Sequence, residues 1–353
     1  MNFRSKKHTL SHGIDYEIPP KNRFPVNAGL VFLVEFIIEA SIKCAKGLAR
    51  RREESPDMSM RFTEIGQQLR AYRLESGLRA EEIAARLGVS RAALYRYEKG
   101  EVIKLDTIKR LAELLKISPL SLLGIGVEYY NRPIGYFERI RQVEETAEQI
   151  LQLFGPVCYL TTSDAYDAVL GEAFDEAADQ AGPERVAMRS TAEQALNILA
   201  ARKRMYAMRR PGIIAMLSIG EVRRLLEHGI ASGVAVSDRV KRICRDVAVS
   251  EVENIATLME TEPMGLQFGL LAGAEPTSAF KILRARDRVS LGVNPFRPDS
   301  HPNAHTGVAM ITGADEAIAA HQRVAEARWR EAIKGPAGAA RLRQLLTTVT
   351  ATV

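Results

Sequence analysis

The residues best equipped for recognition chemistry lie together in the run Ala80–Gly100, AEEIAARLGVSRAALYRYEKG. Arg91, Ala92, Tyr95 and Arg96 fall opposite, or beside, the side of a short helix that Leu94 and Tyr97 would bury. A guanidinium donates two parallel hydrogen bonds to O6 and N7 of guanine, so Arg91 and Arg96 are the candidate base readers. Ala92 is short enough to meet a thymine methyl. The plainer alternative is a helical hairpin used only for protein contacts.

The elements that must position these side chains are legible in the neighbouring residues. Ala84 is small, which lets one helix cross the next closely. Gly88 stands where the connecting turn needs a positive φ. Ser90 is a good N-cap for the helix that carries the arginines. Together these features resemble the Cro/repressor-type helix-turn-helix family, the xenobiotic-response-element regulators. The resemblance runs from about Phe62 to Gly124. IGQQLRAYRLESGL is similar to the family's first helix, ending at Gly77. LDTIKRLAELL (Leu105–Leu115, with Asp106 as an N-cap) and ISPLSLLG are similar to its last two.

That resemblance implies an all-α, five-helix DNA-binding head in which Arg91, Ala92, Tyr95 and Arg96 read bases. It also implies that Lys99 and Lys104 hold phosphates, with Arg79 and Ser90 as further phosphate contacts, and that Arg73 and Glu98 form an internal ion pair. The chain departs from the family at one point. Many members begin the second helix with Ser-Gln or Asn-Gln, whose Gln clamps a phosphate, whereas this chain has Arg79 and Ala80. Arg79 can supply charge there, or simply remain solvated, but the hydrogen-bonded clamp is missing.

Charge is distributed to match. The chain carries a formal net charge of +6, of which residues 61–124 contribute +4 and residues 1–60 contribute +3, leaving −1 for residues 125–353. The positive excess sits where a polyanion would dock. With 353 residues and 46% hydrophobic content, the chain has room for more than one domain and reads as soluble and globular. Cys44, Cys158 and Cys244 are widely spaced, give no disulfide framework and no CxxC metal spacing, and suit a reducing cytoplasm. A cytoplasmic, nucleoid-associated protein with no membrane partner is expected.

Residues 1–60 read as an extension. Gly29–Lys46 is apolar, yet Glu35, Glu39 and Lys43 interrupt it, which favours an amphipathic helix over a membrane span. Met58 and Met60 stand just before the family-like first helix, so translation is expected to begin at one of them. Residues 125–155 read as a linker, with Pro133 and Gly135 as breaks and a helix over Tyr136–Phe154.

Residues 156–353 read as an α/β sensor or oligomerisation domain with a mixed sheet. Strands are expected at Val157–Thr162, Gly212–Ser218, Met264–Leu271, Ala279–Ala285, Arg286–Val293 and Gly307–Ile311. Helices are expected at Ala165–Gln180, Thr191–Tyr206, Gly220–Glu227, Asp238–Leu258 and Ala314–Ile333. The order resembles regulator domains with a phospholipase D-like fold, although the HxK…Asp signature of the phospholipase D enzymes is absent. Asp299, His301 and His305 lie in a turn-rich run with nothing to fix a metal geometry. The arginines at 202, 204, 209 and 210 could receive an anion, but as an exposed helix end they read as a solvated face.

No Ser-His-Asp elbow, Walker loop or dinucleotide fingerprint is present, so neither a catalytic group nor a cofactor is expected. The expected protein is a dimeric transcriptional regulator that reads a two-fold operator and answers to a small-molecule or protein effector. The rival readings are an antitoxin-like interaction module with an autoregulatory head and, further off, an enzyme fused to such a head.

Overall fold

The computed structural model describes residues 62–350, apart from residues 125, 154, 274–277, 298–299 and 305–306. The amphipathic segment Gly29–Lys46, the start at Met58 or Met60, Cys44, Asp299 and His305 lie outside the described residues. Met60–Val353 forms one compact unit.

Five helices open that unit: Phe62–Ser76 (α1), Ala80–Leu87 (α2), Arg91–Glu98 (α3), Leu105–Leu115 (α4) and Pro119–Leu122 (α5). Local chemistry sets their ends. The Glu82 carboxylate accepts the Arg79 backbone N–H at 2.9 Å, at the start of α2. Gly88 closes α2 at φ 69°, a left-handed conformation that a Cβ would oppose. Ser90 Oγ accepts the Ala93 N–H at 3.1 Å and so caps α3. Asp106 is not the N-cap of α4. Lys104 occupies that position, and Asp106 sits in the first turn, where its charge complements the helix dipole. Leu69, Ile83, Leu94, Leu111 and Leu122 are buried at the centre of this group.

The chain then departs from the expected linker. Val127–Tyr130 is a strand (β1), Pro133–Glu144 a helix (α6) and Gln149–Leu153 a second strand (β2). Pro133 starts α6 instead of breaking it, because at the first helical position its missing N–H costs nothing. The helix expected to reach Phe154 stops at Glu144, and Gln149–Leu153 becomes a central strand with partners on both sides. The strand expected at Val157–Thr162 is instead a single 3₁₀ turn, Tyr159–Thr161. There the hydroxyls of Thr161 and Thr162 donate to the carbonyls of Cys158 and Tyr159, satisfying the turn locally.

Beyond it come helices Asp164–Asp179 (α7) and Arg185–Arg209 (α8), strand Gly212–Ser218 (β3), and helices Ile219–His228 (α9) and Asp238–Thr261 (α10). Strands Leu266–Leu271 (β4), Ala279–Arg284 (β5), Val289–Asn294 (β6) and Ala309–Thr312 (β7) follow. Helix Asp315–Glu331 (α11), the short strand Ile333–Lys334 (β8) and helix Gly335–Thr350 (α12) complete the described chain.

The strands form one mixed sheet in the order β1-β7-β6-β5-β2-β3-β4-β8. The pairs β2–β3 and β3–β4 are parallel, and the remaining neighbours are antiparallel. β1, which directly follows the five opening helices, is an edge strand of this sheet. The helical head and the sheet-containing body are thereby joined without an independent linker.

Candidate nucleic-acid interface and the cavity behind it

Helix α3 has two unlike sides. At about 100° per residue, Arg91, Tyr95, Ala92 and Arg96 follow one another across roughly 140° of its circumference, while Ala93, Tyr97, Leu94 and Glu98 fill the other side. Exposure divides the same way: Ala93 and Leu94 are buried, whereas Arg91, Ala92 and Arg96 are exposed and Tyr95 is half-buried. Arg91 meets Glu81 at 2.8 Å and lies over the Tyr95 ring, with 5.3 Å from its guanidinium carbon to the ring centroid. Arg96 meets Glu101 at 2.8 Å. Both pairs are solvent-exposed, a setting in which ion pairs are weak and readily exchanged for a phosphate or a base edge.

Arg73 and Glu98 behave differently. Arg73 Nε and Nη2 donate to the two carboxylate oxygens of Glu98 at 2.5 and 3.0 Å, and neither side chain is more than slightly exposed. The pair ties α1 to the C-terminal end of α3 and so orients that helix. Around the exposed side, Arg79 stands ahead of α2, Ser90 ahead of α3, Lys99 just after α3 and Lys104 ahead of α4. All four are exposed. Ser90 uses an oxygen lone pair for its cap, which leaves its O–H as a donor.

The head is held to the body through α6. Glu75 of α1 accepts the backbone N–H groups of Asn131 at 2.7 Å and Arg132 at 3.1 Å, at the N-terminus of α6. Gln142 donates to the Gln67 carbonyl at 3.0 Å, and Arg70 meets Glu138 at 2.9 Å. Beside them Glu128 of β1 accepts from Gln68 and from both Nε and Nη2 of Arg139, while Tyr130 stacks on Tyr72 with ring centroids 5.3 Å apart.

The opposite side of α6 faces a cavity of about 310 Å³, to which it contributes Tyr136, Phe137 and Ile140. Phe280 and Phe296 add apolar wall, and Arg202 of α8 and Lys281 of β5 add charge. Glu144, the last residue of α6, is fully buried and receives Arg202 Nε and Nη2 at 2.7 and 2.9 Å and Lys281 Nζ at 3.3 Å. Burial alone would lift the Glu144 carboxyl. Arg202 and then Lys281 outweigh that and hold it below the ordinary carboxylate range. Burial in turn pushes the Lys281 ammonium below its ordinary value, against the pull of Glu144.

Sequence reasoning did not single out Glu144 or Lys281, and it assigned Arg202 to a solvated face. Arg202 is buried, whereas Arg204, Arg209 and Arg210 are exposed. The available signal was Lys281 within the apolar strand AFKILR, a costly residue on a covered sheet unless it is paired. Its partner, Glu144, comes from 137 positions away, a distance no local pattern reports. His301 is buried edge-on against Phe174, and its Nδ1 accepts the Asn303 N–H at 3.2 Å. Among the described residues no group of three or more His, Cys, Asp or Glu side chains stands close enough to hold a metal. None of the described helices is long and apolar enough to cross a membrane.

Residues 64–122 match a family of helix-turn-helix domains. The match takes in α2, the Gly88 turn and α3, and supports DNA binding by this part of the chain. A comparison with curated proteins gives no match.

Proposed function

We propose that this chain is a sequence-specific transcriptional regulator of the xenobiotic-response-element type, whose body binds an effector and biases how the head meets DNA. The observation that carries the reading is the division of α3. One side is packed into the head, and the other presents Arg91, Ala92 and Arg96 to solvent with Tyr95 between them. In the major groove, Arg91 and Arg96 read guanine and Ala92 meets a thymine methyl. Arg79, Ser90, Lys99 and Lys104 set the register by holding phosphates. Two copies reading a two-fold operator would place their α3 helices about one helical turn apart.

Effector sensing is supported by the position of α6. Its Gly135, Glu138 and Gln142 side lies on α1, and its Tyr136, Ile140 and Glu144 side lies toward the cavity and its charged wall. A ligand that contacts α6 differently in two arrangements would shift α1, and through Arg73–Glu98 would shift α3.

Selection of bound sites from a random duplex library, followed by competition binding, tests the reading. The full chain should recover a two-fold related motif. Arg91→Ala with Arg96→Ala should lower preference for that motif on the order of a hundredfold or more, while the thermal midpoint stays unchanged. A chain that binds all duplexes alike, or double-variant discrimination equal to the parent, overturns it.

A further inference from the structure

The cavity under α6 has a chemistry of its own. Its apolar part is formed by Phe137, Ile140, Phe280 and Phe296, and its polar wall by Arg202 and Lys281. A buried cation, Arg202, and a partly buried one, Lys281, meet one buried anion there, because both pair with Glu144. At the far wall Glu221 is shared by Arg297, at 2.9 Å, and by the more exposed Arg224. The Glu144 corner therefore keeps a surplus of one positive charge away from bulk water, an arrangement that draws in a compensating anion.

Donor geometry agrees with the charge. Arg202 spends Nε and Nη2 on Glu144, and its Nη1 has no partner among the described residues. Lys281 spends one of its three N–H groups on Glu144 at 3.3 Å, with no other partner among the described residues. Unused donors therefore remain on both cations that line the cavity. A surplus of one charge suits a monoanion, and a phosphate dianion would bring one negative charge too many. A volume of about 310 Å³ admits a body of roughly benzene-ring size with a short tether.

We infer that the cavity takes a small monocarboxylate with an apolar body, its carboxylate lodged between Lys281 and Arg202. This inference rests on the effector-sensing part of the proposed function. The carboxylate would compete with Glu144 for the same cations, so occupancy would loosen the C-terminal end of α6, the helix that carries the head.

The test is calorimetry on the full chain without DNA, using benzoate, phenylacetate and 3-methylbutanoate, the uncharged amide of each, and phenyl phosphate. At least one carboxylate should bind, with its amide weaker by tenfold or more and phenyl phosphate weaker than the carboxylate. Lys281→Met keeps the Arg202–Glu144 pair and should weaken the bound carboxylate at least tenfold. Lys281→Arg should retain it within a few-fold. Carboxylates that bind no better than their amides, tighter binding of phenyl phosphate, or a Lys281→Met variant that binds as the parent does overturns the inference. Should Lys281→Met fail to fold, the carboxylate–amide comparison on the parent decides alone. Site selection on ligand-free protein reads the DNA-binding claim separately, so the two fail independently.

Discussion

At Glu144 three charges meet away from water, and removing the anion leaves Arg202 and Lys281 facing each other unshielded. Breaking a buried pair in this way typically costs about 3–5 kcal/mol. Glu144→Gln should therefore lower stability by about that amount in urea unfolding at pH 7. The pH dependence follows from the lowered Glu144 carboxyl. Its stabilising contribution is present above the unfolded carboxyl value and fades as pH falls through the folded value. The gap between parent and Glu144→Gln should consequently narrow on acidification, and a gap that widens would contradict the assignment. Arg73 offers a second contrast at this scale. Arg73→Ala strands a nearly buried Glu98 and should cost about 2–3 kcal/mol while also weakening DNA binding. Arg91→Ala, by contrast, should weaken DNA binding without lowering the thermal midpoint.

Among the elements, α3 depends on contacts that the sequence leaves small. Gly66 of α1 lies against its C-terminal end, where an added Cβ would stand 2.5 Å from the Tyr97 carbonyl oxygen and 2.7 Å from that of Glu98. Both are backbone atoms and cannot swing away. Gly66→Ala should push the two helices apart, costing about 1–3 kcal/mol as overpacking does, and should reduce operator affinity as well. Gly88→Ala meets open space and is opposed by its φ of 69° alone, so the expected loss is smaller, about 1–2 kcal/mol. Ser90→Ala removes the α3 cap and should cost about 1 kcal/mol. Thermal melts of the three variants, read beside their operator affinities, give the ordering that checks this account.

On the scale of the whole molecule, head and body share contacts instead of being strung on a tether. The Glu75 bonds to the start of α6, the Tyr72–Tyr130 stack and the Gln68–Glu128–Arg139 network all span the two parts. Residues 60–353 should thus unfold cooperatively. Trp329 is the single tryptophan, and it lies in α11 of the body, so its fluorescence follows the body alone. Urea midpoints from Trp329 fluorescence and from operator binding should coincide. An early loss of operator binding would show a head that melts by itself.

How much of this was legible in advance depended on the range of the interactions. The turn at Gly88, the Ser90 cap and the two sides of α3 follow from steric and hydrogen-bonding preferences acting within four residues, and a sequence records such preferences directly. The mixed character of the body followed from its apolar runs for the same reason. By contrast, Tyr136–Phe154 carried a plausible helical stripe, yet its end became β2 because β3 and β5 offer hydrogen-bonding edges from far along the chain. The cavity was equally hidden: Glu144, Arg202 and Lys281 are unremarkable one at a time, and their proximity exists only once α6, α8 and β5 have packed. From local rules the sequence alone determined helix α3, its two sides and its Ser90 cap. Only tertiary structure decided what that helix is mounted on, because a buried charge finds its partners through folding and not through spacing.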